Sequence, residues 1–327
     1  MKLIESKAEY IPQEDGLEGI YKQIELAGRT AYKSEDKIVN VISIDIADLP
    51  EGITVKNIPN YKTNQQQCIE YLRNHKIKYQ IISSAKAFVD RMIKSKHGAA
   101  LEHGTVYLKV PVETYREDKH EWTYMFPEEL PWVSLDCDGK YWYITTNFRH
   151  VLEDNVGIET MDKYSCSPTE FHEKRYTMRF TCSRAIAQEL TRHRVFSYLM
   201  ESQRYINYSK ERHGGDITFI EPSWLKEMSY DIEEKFIESL SQAEDNYMWL
   251  VHWLQPQQAR DVLPNATKTE LIMTGFASDW RFLMDLRLFE KTGAVHPDMK
   301  DLMQKAQKAM QEAGVWEDIM SKPSKFE

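Results

Sequence analysis

Apolar positions recur at helical spacing near the start of the chain. Leu17, Ile20, Ile24, Leu26 and Ala27 predict a helix over residues 17–33. Ile82, Ala85, Phe88, Val89 and Met92 predict a second over 80–95, broken at His97-Gly98. The period then drops to two. Val106, Leu108 and Val110 share one parity, so a strand is expected from Thr105. KYWYITTNF at 140–148 reads as another strand, and with the turn Asp138-Gly139 it makes 113–150 a hairpin-like insertion. Tyr176, Met178, Phe180 and Cys182 alternate in RYTMRFTC, a further strand. Ser183 can cap the helix that follows, SRAIAQELTRHR. Helices are also expected over 230–254, stopped by Pro256, and over 268–291 and 297–313. Residues 35–75 are polar and interrupted by Pro50, Gly52 and Pro59, and read as an elaboration. The fold class expected is α+β, a mostly antiparallel sheet flanked by long helices.

Composition narrows the functions open to such a chain. It has 327 residues and a net charge of −9, which disfavours coating nucleic acid or an anionic membrane through the overall field. A local basic site for a small phosphate ligand stays open. No apolar run approaches the ~20 residues that span a bilayer, and the N-terminus turns polar too early for a signal peptide. A cytoplasmic protein is expected. Cys68, Cys137, Cys166 and Cys182 form no CxxC pair, so they read as free thiols rather than a zinc or redox site. The charge run IEEKFIESLSQAED reads as a solvated helix face, and Met273 and Met284 as core filler. The Trp/Tyr run at 121–144 suggests core or subunit interface, and His172 and His252 suggest structural or surface roles.

The densest polar cluster is Arg192-His193-Arg194 at the end of a predicted helix. Cations there complement the helix dipole. They also suit an anion: Ser202, Gln203 and Arg204 follow within a few positions, and Arg grips phosphate bidentately while Ser completes a cradle. A phosphate-bearing ligand is expected.

RHRVFSYLMESQRY resembles RHRxxSxNxxSxRY, the signature of flavin-dependent thymidylate synthases (the ThyX type), with Ser197, Ser202, Arg204 and Tyr205 in place. Leu199 stands at the Asn position, and Met200 where a Glu often follows. His97-Gly98-Ala99-Ala100-Leu101-Glu102-His103 resembles the family's HxTPxEH segment, with Ala99 replacing Thr. Gly28–Tyr32 resembles an AARVS-like stretch, with Ala31 at a flavin-contacting Ser. Ala259–Pro264 resembles ARxxLP, Trp280–Arg287 resembles WxxFLxLR, and His296-Pro297-Asp298 resembles AHPE. The resemblance covers about two thirds of the chain. It implies one catalytic domain over 1–327, with insertions at about 35–75 and 106–172.

The resemblance implies reductive methylation of dUMP to dTMP. FAD would be the cofactor, NADPH the reductant and methylenetetrahydrofolate the carbon donor, in a homotetramer with shared sites. The implied cofactor residues are His97, Glu102, Arg192, His193, Arg194, Val195 and His296. The implied substrate residues are Glu189 (where a Gln often lies), Arg192, Ser202, Gln203, Arg204, Arg260 and Arg287. Arg192 and Arg287 would be catalytic, and Ser202 a binding residue rather than a nucleophile. His103 is either a packed histidine or a ligand contact. Two alternatives remain: a relative that hydroxymethylates a pyrimidine nucleotide, suggested by Ala99, Leu199 and Met200, and a non-catalytic nucleotide- or RNA-binding protein on the same scaffold.

Overall fold

The computed structural model describes residues 1–60, 64–117, 122, 124–127, 130–153, 156–204, 206–210 and 215–326. Its strands are β1 (Lys2–Ile4), β2 (Lys7–Ile11), β3 (Asn40–Ser43), β4 (Gln80–Ser83), β5 (Thr105–Pro111), β6 (Ser134–Cys137), β7 (Tyr141–Asn147), β8 (Arg175–Ser183), β9 (Ser197–Met200), β10 (Thr218–Ile220) and β11 (Lys268–Phe276). The main helices are α1 (Gly16–Ala31), α2 (Gln65–Asn74), α3 (Ala85–Lys94), α4 (Phe148–Glu153), α5 (Ile158–Tyr164), α6 (Arg184–Leu190), α7 (Tyr230–Leu250), α8 (Ala277–Arg287) and α9 (Pro297–Glu312). The architecture is mixed α and β, and the sheets are antiparallel except for the pair β1–β10.

A four-stranded sheet of order β2-β8-β11-β9 carries the RHR segment. The alternation in β8 explains its placement. Met178, Phe180 and Cys182 are buried in one core with Trp280, Leu283, Met299 and Leu302 of the covering helices. Burial of each such side chain contributes roughly 1.5–3 kcal/mol. The opposite parity is polar yet buried: Thr177 and Thr274 share a 2.8 Å hydrogen bond, and His103 Nδ1 lies 2.8 Å from Thr274 Oγ1. His103 is fully buried, so it is a packed histidine. Burial, reinforced by the charge of Arg175, holds its pKa down at about 3 and keeps it neutral.

Three expected helices need correction. Residues 268–276 form β11, and helix begins only at Ala277. β11 lies between β8 and β9. Six successive residues from Leu271 to Phe276 are buried. A strand buried on both faces loses the period-two signal. Residues 80–95 divide into β4 and α3; Ile82 is 46% exposed on β4, while Phe88, Val89 and Met92 are buried on α3. The helix from Ser183 ends at Leu190. Its start is as expected, since Ser183 Oγ accepts from the Ile186 N–H. Its end is set by a distant side chain: the Tyr198 hydroxyl lies 2.7 Å from the carbonyl oxygens of Leu190 and His193. Arg192, His193 and Arg194 therefore occupy the turn between α6 and β9.

The two stretches expected as insertions pack differently. Residues 35–75 contribute β3 and α2, and with β4 they enclose a small core around Cys68, Leu72 and Ile77. The 106–172 stretch builds the sheet β5-β7-β6 around the Asp138-Gly139 turn. Its Val106, Leu108, Ile144 and Phe148 share a core with Ile20 and Ile24 of α1 and with Phe88 of α3. Part of the Trp/Tyr run falls outside the described residues; of the rest, Trp122 and Tyr143 are buried while Tyr124 is exposed. His172 is buried, with Nε2 3.0 Å from the Leu108 carbonyl oxygen, and His252 is exposed. Among the described residues no helix is long and apolar enough to cross a membrane.

Candidate functional site

The turn after α6 gathers the cationic residues at the N-terminal end of β9. His193 is half-buried, and Arg287, at the C-terminal end of α8, donates from Nε to His193 Nε2 at 3.3 Å. This fixes the tautomer with the proton on Nδ1. Burial, then the charges of Arg287 and Arg192, lower the His193 pKa to about 4. The imidazole is neutral at pH 7, with the Arg287 guanidinium bonded to it and the Arg192 charge acting on it through space. Arg192 and Arg287, expected as catalytic, thus both act on one ring, Arg287 by direct contact and Arg192 by its charge. Glu189 is half-buried on α6, and its carbonyl oxygen accepts from the Arg192 N–H at 3.3 Å.

Arg194 and Val195 face a cavity of about 480 Å³, which Glu102 also lines. Phe196 is fixed by close approach to the backbone of β11: a Cβ on Gly275 would lie 2.3 Å from its ring. The insertion adds Trp132, Asn147 and Arg149 to the lining. Arg149 donates from Nη1 to Glu102 Oε1 and from Nε to Glu153 Oε2, both at 2.7 Å. It passes over Gly98, where a Cβ would sit 2.7 Å from Arg149 Nε. His97, the N-cap of the one-turn helix Gly98–Leu101, lines a different cavity of about 510 Å³ with Arg29, Lys33, Lys37 and Arg91. Its Nδ1 lies 3.2 Å from the Tyr32 hydroxyl.

The C-terminal end of β9 holds the second part of the motif. The Ser202 N–H donates to the Ala31 carbonyl at the end of α1, and Ser202 Oγ accepts from the Arg204 N–H at 3.4 Å. Gln203 is buried with no partner for Nε2. Arg184 has a buried Nη1 without an acceptor, and its guanidinium feels the charges of Arg260 and Glu201. Tyr205 lies outside the described residues. Buried Glu201 pairs with Lys268 at 2.8 Å, and Lys268 also reaches Glu270 at 2.5 Å.

Within one chain the expected substrate residues therefore fall into two groups. Glu189, Arg192 and Arg287 stand at one end of β9, and Ser202, Gln203, Arg204 and Arg260 at the other. A four-residue strand separates them by roughly 10 Å or more. His296 is not brought to either group: it caps α9, with Nδ1 accepting from the Asp298 N–H at 3.2 Å. The sequence reading passed over Arg175, Arg149 and Trp132. Arg175 opens a strand on its polar parity, which reads as a solvated edge, and the other two reach the cavity only through the folding of the insertion.

Residues 159–313 match the family model described as thymidylate synthase complementing protein. A flavin-dependent thymidylate synthase of Pyrococcus abyssi is 27% identical over 170 residues, covering 50% of this chain and 67% of the relative. A probable flavin-dependent thymidylate synthase of Mycobacterium phage D29 is 26% identical over 192 residues, 54% of this chain and 73% of the relative. The solved UMP/dUMP methylase PolB of Streptomyces cacaoi aligns over 45% of this chain and 70% of its own, at 18% identity and a TM-score of 0.37.

Proposed function

We propose, for a chain that belongs to the flavin-dependent thymidylate synthase family and is a methyltransferase enzyme, that it converts dUMP to dTMP with FAD, using methylenetetrahydrofolate as carbon donor and NADPH as reductant. The observation that carries this reading is the turn Arg192–Arg194, where guanidiniums converge beside a cavity and on a neutral His193. FAD, when bound, supplies the hydride chemistry. The residues present fit such a group: the cavity beside Arg194 has cations for an electron-rich ring, and Phe196 and Phe276 give it apolar walls. The cation-rich cavity at His97 suits a diphosphate.

The residues then divide the labour. Arg194, Val195 and Glu102 hold the ring side of the cofactor, and His97 its phosphates. Ser202, Gln203 and Arg204 cradle the dUMP phosphate with Arg260 and the buried amide of Gln203. Arg192 and Arg287 hold the pyrimidine side by charge, and neutral His193 presents N–H on Nδ1 as a donor. Ser202 binds and does not attack.

The two groups on β9 complete one site when a second copy supplies the missing half, so we infer a homotetramer with shared sites. Exposed Trp249 and Trp253, 66% and 75% accessible at the end of α7, support burial against a partner. The whole chain acts as one catalytic unit into which 35–75 and 106–172 are inserted, in the cytoplasm, without nucleic acid or membrane.

The visible absorption spectrum of the purified protein, before and after dUMP, tests this. An oxidised-flavin band perturbed by dUMP is expected. A colourless protein that ignores added FAD would leave only a nucleotide-binding module. Product mass decides between methylation and hydroxymethylation, since the hydroxymethyl product carries one more oxygen. Leu199 and Met200, at positions where the family signature has Asn and Glu, keep that second reading in view.

A further inference from the structure

The cavity beside Arg194 contains a charge that the family motif does not include. Arg175, the first residue of β8, is 8% exposed. Its head group stands among cavity-lining residues: Nη1 donates to the Glu102 carbonyl oxygen at 3.1 Å and Nη2 to Ser197 Oγ at 3.3 Å. Its Nε–H is buried and has no acceptor. No described carboxylate forms an ion pair with it. The Glu102 carboxylate is occupied by Arg149, and Asp279 Oδ2 accepts from the Phe276 N–H at 3.2 Å. All its hydrogen-bond partners are neutral.

A buried guanidinium without a counter-charge is costly, and neutral acceptors recover only part of the lost hydration. Burial lowers the Arg175 pKa to about 10, which still leaves it charged at pH 7. Glu102 and Asp279 act on it only through their fields, without a direct pair, and the adjacent His103 is held neutral. The fold therefore keeps a buried positive charge with no directly paired carboxylate beside a cavity that Phe276 and Trp132 line, its Cζ standing 5.7 Å over the Phe276 ring. Trp132 is set by its own bond, Nε1 to His150 Nδ1 at 3.3 Å.

We propose that Arg175 is an additional flavin-binding residue of this chain, its buried charge matched by the anion-forming edge of a flavin ring in this cavity, which Trp132 of the insertion also lines. The proposal rests on the functional reading above. In a site of low dielectric a fixed cation favours the reduced, anionic ring over the oxidised, neutral one. Arg175 thus tunes reduction as well as binding.

The test uses full-length protein stripped of flavin and titrated with FAD, with fluorescence quenching for affinity and dye-linked reduction for the two-electron potential. Arg175→Gln is expected to bind FAD at least tenfold more weakly. A further tenfold loss confined to the reduced form lowers the potential by about 30 mV. Arg175→Lys, which keeps the charge without the fork, should restore the potential and only part of the affinity. Arg175→Met separates binding from folding: the flavin-free variant should melt at or above the wild-type temperature, while the rise on adding FAD shrinks. Wild-type affinity and potential in Arg175→Gln would overturn the proposal. So would a fall in flavin-free melting temperature with the FAD-induced rise intact, because the arginine would then serve the fold. If the wild-type protein itself takes up no FAD, the functional reading fails along with it.

Discussion

The two ends of β9 treat charge in opposite ways. At the C-terminal end Lys268 is held between Glu201 and Glu270, so its cation is compensated inside the protein. At the N-terminal end Arg175, Arg192, Arg194 and Arg287 gather with no ion pair to any described acid, and one of them is buried. A buried pair whose members satisfy each other belongs to the fold. Buried or crowded cations left unmatched point to a charge that arrives from outside. Two orphaned donors, on Arg184 and Gln203, extend the second pattern to the edge of the first, where the proposal puts the substrate phosphate.

Lys268→Met should break the comparison most sharply. It leaves Glu201, 2% exposed, without its cation, with Tyr208 Oη 3.4 Å from Oε1. The expected loss is about 3–5 kcal/mol in denaturant unfolding. A cost below about 1 kcal/mol would show that the compensated end is no more structural than the other. Next in size, Arg204→Ala should weaken dUMP binding by about 1.5–3 kcal/mol in calorimetry, as when a phosphate loses a charged partner. Unchanged affinity would remove Arg204 from the cradle.

Acid should act on the N-terminal end through its neutral histidines. His103 and His193 have folded pKa values near 3 and 4, below the ordinary 6.5. The unfolded chain therefore binds more protons between those limits, and stability falls as pH drops below about 6.5. Asp279 works in the opposite sense. Burial raises its carboxyl to about 6, so the folded state takes up its proton first and gains as pH falls. In an Asp279→Asn background the effect of the two histidines should emerge without that opposing term, at most about 5 kcal/mol between pH 7 and 4.5. A flat urea midpoint over that range would mean the histidines are solvated. The smallest effect is expected from Glu153→Gln. It removes one exposed carboxylate from Arg149, and a thermal melt should register no more than about 0.5 kcal/mol.

How far the sequence reached follows the same physics. β8 was legible because its two buried faces differ in kind, apolar on one parity and polar on the other, and α1 and α9 because their apolar residues recur at helical spacing. β11 was not, because Leu271, Ile272 and Met273 are apolar and buried on successive positions, which removes the alternation. The RHR turn was legible as chemistry but misplaced as helix, because Tyr198, a side chain from the next strand, satisfies the carbonyl that ends α6. Arg192, Arg194 and Arg287 were visible in local motifs. Arg175 had no local signal, because its burial depends on the Glu102 carbonyl and Ser197, 73 and 22 positions away. Arg149 and Trp132 lie in a stretch that the family pattern does not include.

β2 consists of residues 7–11 and pairs with residues 177–181 of β8. On a ribosome adding about 5–20 residues per second, that strand waits roughly 10–30 s for its partner. Meanwhile the hairpin sheet β5-β7-β6, whose strands lie within 43 residues of one another from Thr105 to Asn147, can close on α1 and α3. All strands of the inserted sheet are thus synthesised before the sheet that carries the RHR turn can be completed, and they offer a surface that can hold the N-terminal helix while the rest of the chain is still being made.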